Sequence, residues 1–331
     1  MLVGELGEEA LLDRLRRLFS STAAAISVGI GDDAAVTGPA AGMQVWTTDL
    51  LLEGVHFRKD WQAPEQLGQK CLAVNLSDMA AMGAVPRYAL LTIACAGDTP
   101  VDLITGICEG IASLAAKTGT AVVGGDTTGS PGPLALSVSL AGELEAGEAP
   151  VLRSGAHPGD RILVTGRLGG AAGGLRLSQQ GSGAGFPQLL TALNTPVARL
   201  AEGHAARLAG AAAMTDISDG LATDLRHMCA ASGTGARIRA DAIPVYESLP
   251  EAAERHGWEL QELVIYGGED YELLIAAPPD KAGRIAGAIE AAGTPVTDIG
   301  QMTAAATGIV MLDPRGAEQP LAQRGFDHFR R

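Results

Sequence analysis

Acidic residues hold the chemistry this sequence offers. They are Asp32 and Asp33 in GIGDDAAV, Asp49 in WTTDLLLEGVHF, Asp78 in NLSDMAAMG, Asp126 in VVGGDTTG, Asp216 and Asp219 in TDISDG, and Glu269 and Asp270 in YGGEDYELL. Most follow an apolar run or a glycine turn instead of decorating a polar helix face. A carboxylate just past a buried strand stands on a rigid base at the sheet edge, where ligands bind in many α/β proteins. Several such groups converging would repel one another unless cations lay between them. No Cys or His pairs occur at metal-ligand spacing, so hard oxygen donors favour Mg²⁺, Mn²⁺ or Ca²⁺ over Zn²⁺. Mg²⁺ takes one or two carboxylates and completes its shell with water and substrate phosphates. A multi-carboxylate site is therefore a natural bridge to a nucleoside triphosphate. Taken singly, each acid is equally explained as a turn or N-cap residue. That reading is strongest for Asp32, beside Gly31, and for Asp219, near the start of the helix containing Leu221 and Leu225.

Other candidates are weaker. Asn75 and Asp78 are three apart on a predicted helix and share a face, while Leu72, Leu76 and Met79 form a separate apolar stripe. Asp78 sits in an otherwise apolar segment, where a buried charge needs a partner or a metal. Thr47 and Thr48 can add oxygen ligands beside Asp49, although β-branched residues also simply suit a strand. His56, alone in EGVHF, is undecided by spacing. The turn Thr165–Gly170 lacks a well-spaced G-x-G-x-x-G and a following strand-end acid. There is no G-x-x-x-x-G-K-[ST] loop, no protein-kinase signature and no G-x-S-x-G elbow.

The elements that must position these groups alternate. Val45–Thr48 reads as a strand ending at Asp49. Pro64–Met82 reads as a helix, with Pro at its start and Gly83 after its end. Tyr88–Ala96 reads as a strand, Val101–Lys117 as a helix stopped at Gly119, and Ala121–Val123 as a strand running into Gly124, Gly125 and Asp126. Pro133–Glu143 alternates like a half-buried strand. Arg161–Thr165, Met214–Ile217, Leu263–Tyr266 and Tyr271–Ala276 are further strand candidates, and Gly181–Gly185 reads as a loop. At the N-terminus Leu11, Leu15 and Leu18 share one face of an amphipathic helix. The composition shifts to Gly, Pro and charge between Glu145 and Gly159, which divides the chain into domains 1–147 and 148–331. The class is mixed α/β or α+β in two domains.

Bulk properties narrow the chemistry. Of 331 residues, 47% are hydrophobic but only 4% aromatic, so two aliphatic cores are expected. The formal net charge of −14 argues against nucleic acid as a partner. Four cysteines without C-x-x-C pairing fit a reducing, cytoplasmic setting. No apolar run reaches the roughly 18 residues of a membrane span, and Glu5, Glu8 and Glu9 stand where a signal peptide would be basic and then apolar.

Taken together, GIGDDAAV, TTDLLLEGVHF, K-x-LAVNLSDMAAMGA-x-P, GGDTT, RSGA-x-PGD, ISDGL-x-x-DL, GGEDYEL and GFDHF resemble, in this order, the motifs of bacterial thiamine-monophosphate kinases. The resemblance runs from about Gly4 to Phe329. The wider superfamily, which includes aminoimidazole-ribonucleotide synthetase and selenophosphate synthetase, shares the fold and ATP use without this full set. The resemblance implies an N-terminal ATP- and metal-binding domain that pairs through its sheet into a homodimer. It implies a C-terminal domain that completes a substrate cleft, and phosphorylation of thiamine monophosphate by ATP with several Mg²⁺ ions. By matching positions, it implies metal sites at Asp33, Thr47, Thr48, Asp49, Asp78, Asp126 and Asp216, with Asp219 a further one. Asp49, Asp78 and Asp126 would be central to catalysis. Gly125, Asp126, Arg153 and Ser218 match ATP contacts, and His56, Glu269 and Phe326 match substrate contacts. Phe326 replaces the Tyr or Trp often found there, keeping a stacking face and losing a polar handle. Two alternatives stand beside this reading: another ATP-dependent synthetase of the superfamily, and a non-catalytic cation-binding protein. No Cys lies near the N-terminus to serve a selenide chemistry.

Overall fold

The computed structural model describes residues 1–19, 26–28, 30 and 35–322. Asp32, Asp33, Phe326 and the GFDHF motif lie outside the described residues. The chain forms two compact units, Met1–Met79 with Val85–Ala149, and Ala80–Ala84 with Pro150 onward.

The first unit is built on a four-stranded sheet in the order Gln44–Leu52, Ala135–Glu143, Val85–Cys95, Ala121–Gly129. The last pair is parallel and the others antiparallel. The helix Val101–Thr118 connects the two parallel strands, as parallel neighbours require. One face of the sheet carries Leu51, Leu136, Val138, Leu140, Leu91 and Ile93, all buried. It faces the helix Pro64–Met82, itself buried on nearly every side. That helix meets Val101–Thr118 so closely that a Cβ on Gly68 would lie 1.9 Å from the Ile107 carbonyl oxygen. The N-terminal helix Glu8–Leu18 buries Leu11 and Leu15.

The second unit has seven strands in the order Glu318–Pro320, Ile309–Leu312, Thr234–Arg239, Val296–Ala304, Arg161–Thr165, Leu273–Ala277, Ala213–Asp216. Its central strands are buried on both faces. Ile162, Val164, Leu274 and Ala276 enter one core with Leu221, Leu225 and Leu263; Leu163, Leu273 and Ile275 enter another with Ala206, Ile285 and Ile289. Helices on both faces explain why these strands read as continuous apolar runs.

Three expectations change. The Leu263–Tyr266 segment is not a strand but the end of the helix Leu260–Tyr266. Its short apolar run fits either periodicity, and Leu260, Leu263 and Val264 share the helical face turned to the core. Asp49 does not end its strand: pairing continues to Leu52 opposite Ala135. Asp126 likewise lies inside Ala121–Gly129, paired opposite Thr92. Both acids are therefore presented by strand interiors.

Candidate active site

In the first unit, alternation along Gln44–Leu52 turns Thr47 and Asp49 toward the Pro64–Met82 helix. The Thr47 hydroxyl donates a hydrogen bond to the Asp78 carboxylate. Burial, and then the charge of Asp78, push the Asp49 carboxyl up to about 6. Two carboxylates thus face each other in a partly closed space, where a divalent cation would favour the ionised form of both. Asn75, one helical turn before Asp78, is fully buried; its amide nitrogen donates to the Cys71 carbonyl at 3.2 Å, and its Oδ1 has no hydrogen-bond partner. A buried acceptor of this kind is costly unless something donates to it or coordinates it. Thr47, Asp49 and Asp78 form an all-oxygen donor set, the type Mg²⁺ prefers.

Thr48 points the other way. Its hydroxyl lies 3.1 Å from the Val138 carbonyl and 3.0 Å from the Ser139 hydroxyl. Only its backbone remains available on the Asp49 side. On the edge strand, Gly125 pairs with Leu91, which pairs with Val138, the partner of Asp49. Gly125 thus occupies the cross-strand row of Asp49. It has φ 152°, and a Cβ there would lie 1.8 Å from the Leu91 carbonyl oxygen, so only glycine fits. Asp126 is exposed and belongs to the next row, with Thr92, Ser137 and Leu50. The register therefore sets Asp126 apart from the Asp49–Asp78 pair. His56 accepts the Leu52 backbone N–H at its Nδ1, 3.0 Å away, which leaves a neutral ring its proton on Nε2.

In the second unit, the strand Ala213–Asp216 runs into the turn Ile217–Gly220 and then the helix Leu221–Ser232. Asp216 is buried at the strand end. Asp224, 1% exposed in the first turn of the helix, accepts the backbone N–H groups of Ser218 and Asp219, each at 3.1 Å. Burial first, then the charges of Asp216 and Asp219, push its carboxyl up to about 8. His227 lies one turn on, 3.8 Å from Asp224, and burial lowers its pKa. Among the described residues, Asp219, Asp224 and His227 are the one group of three such side chains whose ligand atoms lie within 4.8 Å of one another. The Arg153 Nε donates to the Thr215 hydroxyl at 3.2 Å, and its charge acts on both Asp224 and His227. The structure therefore gathers Arg153, Asp216, Ser218 and Asp219, and adds Asp224 and His227. Asp224 stands inside ISDGL-x-x-DL, where it resembles an ordinary first-turn acid; burial is what distinguishes it.

Glu269 lies alongside this turn. Its backbone N–H donates to the Ser218 carbonyl at 2.7 Å, and that of Tyr271 donates to the Ile217 carbonyl at 2.9 Å. Glu269 and Tyr271 both adopt left-handed φ, 66° and 52°. No helix among the described residues is long and apolar enough to cross a membrane.

The comparisons agree with this architecture. Residues 31–144 match the family described as AIR synthase related protein, N-terminal domain, and residues 157–313 match its C-terminal domain. A thiamine-monophosphate kinase of Bacillus subtilis is 32% identical, with 92% of this chain and 94% of that protein covered. The crystal structure of thiamine-monophosphate kinase from Stenotrophomonas maltophilia is 37% identical, with TM-score 0.82 and coverage of 94% and 96%. A structure of AaThiL complexed with AMPPCP and TMP is 30% identical, with TM-score 0.78 and coverage of 99% of both chains. On these grounds the chain belongs to the thiamine-monophosphate kinase family, within the AIR synthase related proteins.

Proposed function

We propose that this protein transfers the γ-phosphoryl group of ATP to thiamine monophosphate, giving thiamine diphosphate and ADP. The observation that carries the reading is the facing pair Asp49 and Asp78, with the Thr47 hydroxyl bound to one of them, in a chain of this family. The attacking group would be a phosphate oxygen already ionised at neutral pH, so no strong general base is needed. Catalysis then rests on alignment and charge neutralisation.

Thr47, Asp49 and Asp78 would hold Mg²⁺ in the first unit, while Asp126, in the neighbouring cross-strand row, would serve ATP or its metal apart from this pair. Asp216 and Asp219 would offer a further oxygen set, and Asp33 and the Thr48 carbonyl would complete the ligands. When bound, Mg²⁺ neutralises phosphate oxygens and offsets repulsion between two anions. Arg153 would grip ATP phosphates through its planar fork, and Ser218 and the Gly125 backbone would also contact ATP. His56, Glu269 and Phe326 would recognise thiamine monophosphate: Glu269 by opposite charge to the thiazolium, Phe326 by an aromatic face.

We further infer a homodimer formed through the sheet of the first unit. The sheet face opposite its helices exposes Trp46 (65%), Leu50 (53%) and Leu90 (43%), an apolar patch of the kind a partner covers. A second copy offers the same patch about a two-fold axis. Four free, buried cysteines suit a reducing cytoplasm.

The test supplies Mg²⁺, ATP and thiamine monophosphate and separates products by chromatography, with thiamine-only and no-acceptor controls. Equimolar thiamine diphosphate and ADP is the expected result. ADP without thiamine diphosphate would point to another acceptor within the superfamily, and no turnover by folded protein would leave a cation-binding role.

A further inference from the structure

Asp270 has no part in the reading above, yet it sits at the centre of a fastened segment. The residues on either side of it, Glu269 and Tyr271, hold left-handed backbone conformations. Non-glycine residues persist there only where their surroundings over-determine them. Two sets of bonds do so. Along the main chain, Glu269 and Tyr271 donate to the carbonyls of Ser218 and Ile217. From the side chain, the two Asp270 oxygens accept the backbone N–H groups of Gly169, at 2.8 Å, and Ala171, at 3.4 Å. Those amides open the Gly170–Gln180 helix, whose first N–H groups have no partner within the helix.

The segment is thus pinned on one side to the turn carrying Ser218 and Asp219, and on the other to the start of a helix packed into the core. Releasing the second pin would let Glu269 relax toward ordinary backbone angles and swing its carboxylate away. We infer that Asp270 is a positioning residue that fixes Glu269 for recognition of the thiamine end of the substrate. This rests on the proposed contact between Glu269 and thiamine monophosphate.

The test is steady-state kinetics on the full chain, comparing wild type, Asp270→Ala, Asp270→Asn, Glu269→Ala and the Asp270→Ala/Glu269→Ala double variant. Losing both carboxyl acceptors should raise KM for thiamine monophosphate roughly tenfold, while KM for ATP moves less than about twofold. Asp270→Asn keeps one acceptor and should give a rise of about threefold. On the Glu269→Ala background, Asp270→Ala should add less than about twofold, because the two act through one contact. Equal rises in both KM values, or a full additional tenfold rise in the double variant, would overturn the inference. If Asp270→Ala does not fold, an unchanged KM in Asp270→Asn overturns it alone. Wild-type turnover with an unaltered KM in Glu269→Ala would remove Glu269 as the target and sink this inference while leaving the kinase reading intact. Absence of thiamine diphosphate in wild type would sink both.

Discussion

The two acidic constellations of this chain differ in how their carboxylates are held. In the first unit, Asp49 and Asp78 come from a strand and a helix and face each other, and both influences on Asp49 raise its pKa. In the second unit, Asp224 is turned onto two backbone N–H groups, and Arg153 lowers what burial and its acidic neighbours raise. The first arrangement gains from a cation. The second is already satisfied by the chain and shapes the turn that carries Ser218 and Asp219. Residue type alone does not separate a ligand from a scaffold; burial and the identity of the donors do.

The largest expected effect breaks the first arrangement. Asp78→Asn should lower kcat by about 100-fold or more, as removal of one electrostatic group from a reacting centre commonly does. Thermal stability without magnesium should be unchanged or higher, because a like-charge repulsion is gone. Calorimetry beside kinetics checks both. The corresponding change in the second unit should do the reverse. Asp224→Ala leaves two N–H groups without their acceptor and should cost about 2–4 kcal/mol of stability, read from denaturant unfolding. Asp224→Asn should cost less.

A pH series sharpens the contrast. The folded-state pKa of Asp49, about 6, lies above its ordinary 3.8. The native protein therefore binds more protons than the unfolded chain between these values. Asp49 contributes stability that is fully present below about pH 4 and is lost as pH rises through about 6, amounting to roughly 2–3 kcal/mol. Stability measured without divalent ions should carry this loss, and Asp49→Asn should remove it. The stabilisation given by added Mg²⁺ should grow over the same window, since the cation binds the ionised form.

The smallest effect separates neighbours on one strand. Thr47→Val removes the hydroxyl bound to Asp78 and should lower kcat by about tenfold; Thr48→Val, on the opposite face, should change it less than about threefold.

Much of this was legible in the sequence. Proline and glycine bracket the Pro64–Met82 helix at its observed bounds, and the acidic motifs drew attention to both constellations. Strand parity would have divided Thr47 from Thr48, since successive residues face opposite sides. Other features were not legible. A polar Asp49 in mid-strand interrupts the apolar pattern, so the local pattern ends there while the pairing runs on to Leu52. The row of Asp126 depends on a register shift between Ala89 and Leu90, which no local pattern announces. Burial of Asp224 and the left-handed backbone around Asp270 come from tertiary packing, and neither residue type signals them.

The most direct measurement follows the γ-phosphoryl group itself. ATP labelled at the γ-phosphorus is incubated with thiamine monophosphate over a magnesium titration, and the label is located by chromatography. The account predicts label in thiamine diphosphate, equimolar with ADP, rising with magnesium and absent without it. Label released only as inorganic phosphate, or transfer independent of any divalent ion, would contradict it.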